Sequence, residues 1–137
     1  MVRFAISIGE DNKICKEHFG EGKEFWIYEL SGDSRLLEKR PNRSEEEKEH
    51  GSKKKALQIH SQLKDVEILI GYRFGPNILR KSILDFLFVI TPTRDVDKTI
   101  QLASKFSKEL VDRIPRRKEI IVKISENGIK ELPRGRK

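Results

Sequence analysis

Cys15 and His18 stand three residues apart in a polar stretch, Glu10–Lys23, that also holds Gly20 and Gly22. A thiol and an imidazole are a soft ligand and a nitrogen ligand for transition metals. A second suggestive stretch is Gly71-Tyr72-Arg73-Phe74-Gly75-Pro76-Asn77. Pro76 takes the favoured first position of a helical pattern, and backbone N–H groups at a helix start attract anions. Arg73 adds a fixed positive charge that can grip a carboxylate or phosphate with two donors. His50-Gly51 lies just before another helical pattern and offers a further imidazole. Each of these has a plainer explanation. His18 can pack on Phe19 and bond its own loop, and Cys15 can serve as a small buried hydrophobe. His50 can help to cap a helix, and Arg73 can simply be solvated. His60 falls on an apolar stripe and reads as a satisfied core histidine.

Enzyme chemistry finds little support. No Ser/His/Asp, HExxH or paired CxxC arrangement occurs. Three histidines and one cysteine fall short of an ordinary closed zinc site. The Gly71–Asn77 loop does not match the phosphate-binding GxxxxGK[ST] pattern, so nucleotide hydrolysis is not inferred. We expect a protein that is not an enzyme.

The elements that must position these groups are read from periodicity. Val66–Ile70 is a nearly unbroken apolar run, as in a strand covered on both faces. In an open α/β sheet, ligands sit at the carboxyl end of such strands. Val2–Gly9, Phe25–Leu30 and Phe86–Ile90 read as further strands, and the charged Arg35–Lys39 as an edge strand after the Ser31-Gly32-Asp33 turn. A helix is expected from Ser52 to Lys64, with Ala56, Ile59, His60 and Leu63 on one face. A second, short helix is marked by Ile78, Leu79 and Ile83. A third carries Val96, Ile100, Ala103, Phe106 and Leu110 and ends at Pro115. Glu119–Ile124, the turn signal Asn127-Gly128 and Gly128–Leu132 read as a C-terminal hairpin. Early hairpins followed by βα alternation mean a mixed sheet with helices on it, an α/β fold.

The chain has 137 residues, which favours one domain, and a formal net charge of +7. The single cysteine rules out an internal disulfide and suits a reducing compartment. No apolar run approaches the roughly 20 residues of a membrane span, and MVRFAISIGED reads as a first strand rather than a leader. A cytoplasmic protein with no membrane association is expected. The basic residues cluster at Lys53–Lys55, Arg116–Lys118 and Arg134–Lys137, with no aromatics between them. They make weak nucleic-acid binding an alternative, while solvated faces and a basic tail are the plainer reading.

Ile14-Cys15-Lys16-Glu17-His18-Phe19-Gly20, followed by the aromatic strand Phe25-Trp26-Ile27-Tyr28, resembles the start of the dinitrogenase iron–molybdenum cofactor biosynthesis family, the NifX/NifB-type accessory domain. His50-Gly51, the run Leu63–Val66 into Ile68–Gly71 and the glycine loop through Gly75 fit the same pattern. The resemblance runs from about Val2 to Phe106. It implies a ribonuclease H-like fold: a mixed five-stranded sheet ordered 3-2-1-4-5 with helices on both faces. Residues 1–114 would form that domain, and residues 115–137 a hairpin extension and basic tail. With that order, the crevice between strands one and four is walled by Gly9–Gly20 and Gly71–Asn77. The implied role is a non-catalytic carrier of a metal cluster, of iron–sulfur or iron–molybdenum type, or of a related anionic cofactor. His18, Cys15 and His50 are the candidate metal ligands, and His18, Gly71, Arg73, Gly75 and Asn77 the candidate cofactor-binding residues. A cofactor-assembly or acceptor protein would be the partner. A regulatory partner-binding module on the same scaffold, offering the hairpin edge to another chain, is a further alternative.

Overall fold

The structure, a computed structural model, describes residues 1–44, 53–75 and 85–134. The expected Ser52 cap, the second helix through Ile83, His50 and Asn77 lie outside the described residues.

Seven strands form one sheet. They are β1 (Arg3–Ile8), β2 (Glu24–Glu29), β3 (Arg35–Pro41), β4 (Ile68–Gly71), β5 (Leu87–Ile90), β6 (Ile120–Ser125) and β7 (Gly128–Pro133). Their spatial order is β3-β2-β1-β4-β5-β6-β7. The central pairs β1–β4, β4–β5 and β5–β6 are parallel, whereas β1–β2, β2–β3 and β6–β7 are antiparallel. The expected order of the first five strands is thus present, but five strands are not the whole sheet. The hairpin joins it, with β6 set beside β5 from Phe88↔Ile121 to Ile90↔Lys123. The reason lies in the side chains. Ile120, Ile121, Val122 and Ile124 are all buried, too apolar for a free-standing hairpin, and they cover the edge that β5 would otherwise expose. Asn127-Gly128 makes the turn, and Gly128 sits at φ +138°, where a side chain would be strained.

Alternation along the strands feeds two cores, one on each face of the sheet. Phe4, Ile6, Ile8, Ile68, Ile70 and Val89 face α2 (Val96–Lys105) and α3 (Ser107–Arg113), meeting Leu102, Ala103 and Leu110. On the other face Ala5, Phe25, Ile27, Leu69 and Phe88 meet Ile59 and Leu63 at α1 (Lys53–Gln62). All four residues of β4 are buried, as its unbroken apolar run requires.

The apolar stripe predicts one long third helix, and two helices are found. The chain leaves helical geometry at Phe106, with φ −106° and ψ 25°. The bend keeps Phe106 and Leu110 on the same core as Leu102. Asp95 caps α2, its carboxylate accepting from Lys98 N–H at 2.9 Å. No helix among the described residues is long and apolar enough to cross a membrane.

Candidate functional site

The parallel strands β1 and β4 are direct neighbours, and the chain leaves them in opposite directions across the sheet. Their carboxyl ends therefore form the switch point where α/β sheets bind ligands. Two loops rise there, Gly9–Lys23 after β1 and Gly71–Gly75 at the end of β4.

The first loop folds back on its own strand. Cys15 N–H donates to Ser7 C=O at 2.8 Å, and Ile14 makes an isolated bridge to Ile8. Ser7, fully buried, donates its hydroxyl to Phe19 C=O at 2.6 Å. A Cβ on Gly22 would overlap that hydroxyl, so the tight return needs glycine. Phe19 inserts into the α1-face core and stacks between Phe25 and Phe74, at 5.4 and 5.3 Å between ring centroids. With Phe19 anchored, the preceding His18 stays exposed at the rim.

The second loop meets the first directly. Phe19 N–H donates to Arg73 C=O at 2.9 Å. A Cβ on Gly75 would lie 3.2 Å from His18 Nδ1, and its next neighbours are His18 Cγ and Cβ. The Nδ1 side of the His18 imidazole thus abuts Gly75, and the residue is otherwise exposed. A Cβ on Gly71 would press on the rings of Phe19 and Phe74 at 3.1 and 3.2 Å. Both glycines are where the two loops close on each other. Among the described residues the two expected walls touch each other, forming an open seam. Arg73 is exposed beside it.

His18, Gly71, Arg73 and Gly75 are therefore gathered at one rim. Cys15 takes a different position. It is buried, 5% exposed, and its thiol lies 3.8 Å from His18 C=O. Burial pushes that thiol above its ordinary pKa, which favours the neutral, non-ligating form. Among the described residues no group of three or more His, Cys, Asp or Glu is placed to hold a metal ion. His60 is half-buried, packs edge-on against Phe86 and lies 3.4 Å from Asp85 Oδ2.

Two contributors escaped the sequence reading. Phe74 is the ring that ties the second loop to the core, stacking on Phe19 and meeting Phe88 edge-on at 5.0 Å. Arg94, in the connection after β5, reaches the first loop, donating from Nε to Ile14 C=O at 2.8 Å and through one terminal nitrogen to both Asp11 oxygens at 3.0 and 2.8 Å. That pairing holds the Asp11 carboxyl below its usual range. A cavity of about 270 Å³ opens on this outer side of the first loop, between Lys16, Glu17, Lys23 and Arg94. Arg94's place after a central parallel strand was the available signal.

An open mixed sheet with a loop-built seam at its switch point defines an α/β protein, without a closed metal cage among the described residues. The model of the dinitrogenase iron-molybdenum cofactor family matches residues 1–105, and the chain belongs to that family. The match ends with α2, before β6 and β7. No curated protein matches the chain.

Proposed function

We propose that this protein is a non-catalytic carrier that holds an anionic metal cluster, of iron–sulfur or iron–molybdenum type, as cargo on the seam between His18 and the Gly71–Gly75 loop. Family membership supports a role in handling iron–molybdenum cofactor or its precursors. The observation that carries the site is the abutment of the exposed His18 ring on Gly75 beside Arg73. The exposed imidazole supplies one nitrogen ligand to a cluster edge. Arg73 supplies charge and donors for the anionic remainder of the cargo. A single protein ligand on an open rim suits temporary holding and release, whereas a closed set of thiolates would retain its metal. Cys15, buried and neutral, serves packing in this reading. A cofactor-assembly or acceptor protein would approach the same rim to take the cargo.

The test is anaerobic reconstitution with iron and sulfide, followed by desalting and metal analysis. Wild type is expected to retain iron and sulfide, His18→Ala to lose most of both, and Cys15→Ser to keep them. Equal and negligible retention by wild type and His18→Ala removes the carrier reading.

A further inference from the structure

We infer that Arg94 is the positioning residue of the seam: it fixes the His18 loop against the Gly71–Gly75 loop. This rests on the proposed carrier role only where cargo is concerned. Four contacts join this one residue to a segment some 80 positions earlier. Its C=O accepts from Ile14 N–H at 3.0 Å, its Nε donates to Ile14 C=O at 2.8 Å, and one terminal nitrogen spans both oxygens of Asp11. Ile14 is fully buried, so both its backbone polar groups depend on Arg94. Four residues further along stands His18.

The connection that carries Arg94 is itself held firmly. Thr91 and Thr99, both buried, share a hydroxyl–hydroxyl bond of 2.9 Å, and Asp95 caps α2. The same connection reaches the other side of the seam, since Thr91 N–H donates to Gly71 C=O at 3.0 Å. One short segment, Thr91–Asp95, therefore sets both loops. The guanidinium suits this task because its planar fork serves a carbonyl and a carboxylate together, which an ammonium cannot do in the same geometry.

The experiment follows the nuclear Overhauser effect between the His18 ring protons and the Gly75 α-protons in the metal-free protein. Wild type shows this cross-peak, and Lys98→Ala, which removes a nearby surface charge, keeps it. Arg94→Ala and Arg94→Lys abolish it while retaining dispersed, folded spectra. Should Arg94→Ala fail to fold, Asp11→Ala removes the carboxylate arm alone, and the cross-peak is expected to weaken. An undiminished cross-peak in a folded Arg94 or Asp11 variant overturns the inference. In the reconstitution assay, Arg94→Lys is expected to hold iron about 10–100-fold more weakly than wild type, the usual cost of removing a group that orients a ligand. Equal iron retention by Arg94→Lys and wild type, in a variant that shows no cross-peak, removes Arg94 from the cargo site. If wild type itself retains no iron, the carrier reading falls, and the Overhauser comparison still decides the role of Arg94.

Discussion

The two loops of the seam are built on different physics. The Gly9–Lys23 loop is held by directed polar bonds: Ser7 to Phe19 C=O, Cys15 N–H to Ser7 C=O, and the Arg94 contacts to Ile14 and Asp11. The Gly71–Gly75 loop has two backbone bonds, from Thr91 to Gly71 C=O and from Phe19 to Arg73 C=O, and its side-chain anchorage is ring packing, with Phe74 between Phe19 and Phe88. Hydrogen bonds fix orientation but contribute about 1 kcal/mol each, net of water. Buried aromatic area contributes more and orients less. An imidazole that must face outward is thus aimed by the first kind of bond, while the glycine loop beneath needs only to stay in place.

The comparison can be broken most forcefully at Phe19, the residue shared by both loops. Phe19→Ala leaves a void among Phe25 and Phe74 and is expected to cost about 3–5 kcal/mol. Urea unfolding measures it, and a destabilisation below about 1 kcal/mol would mean that the rings do not hold the second loop.

Gly75→Ala sharpens the contrast. The added methyl meets the His18 ring at 3.2 Å, and an exposed side chain can move aside. Stability should change by less than about 1 kcal/mol. Iron retention should nevertheless fall, because the ring is displaced from its place beside Arg73. Unaltered retention would separate the imidazole's position from binding.

The smallest effect is electrostatic. Asp11 has a lowered folded pKa, caused first by its bond from Arg94, and it is exposed. A lowered carboxyl stabilises the fold above the unfolded value of about 4 and loses that contribution as pH falls through the folded one. The lead of wild type over Arg94→Ala in thermal midpoint should therefore narrow below about pH 4. A constant gap would assign the whole effect of Arg94 to its bond with Ile14.

Much of the frame was legible in the sequence because burial on two faces leaves an unmistakable apolar run. Val66–Ile70 and Phe86–Ile90 announced central strands, and β4 and β5 lie there. The neighbouring placement of β1 and β4 came from family resemblance, since local pattern carries no pairing order. The hairpin was visible at Asn127-Gly128, but its insertion beside β5 was not. A parallel pairing across α2 and α3 has no local signal beyond the apolar side chains of Ile120, Ile121, Val122 and Ile124, all of them buried. Bend geometry at Phe106 was hidden too, because the apolar stripe runs on through Leu110. At the rim, His18 and Gly75 could be nominated by residue type, whereas their contact could not. The long reach of Arg94 to Ile14 was the least visible feature, since an arginine after Thr-Pro-Thr looks like any solvated loop cation.

The most direct measurement is paramagnetic broadening of assigned amide resonances after anaerobic loading with iron and sulfide. The carrier account predicts that the signals of His18, Phe19, Arg73 and Gly75 vanish together, while those of Gly32, in the β2–β3 turn at the opposite end of the strands, stay sharp. Broadening centred on any other part of the chain, or none while iron is retained, would contradict a cargo held on the seam.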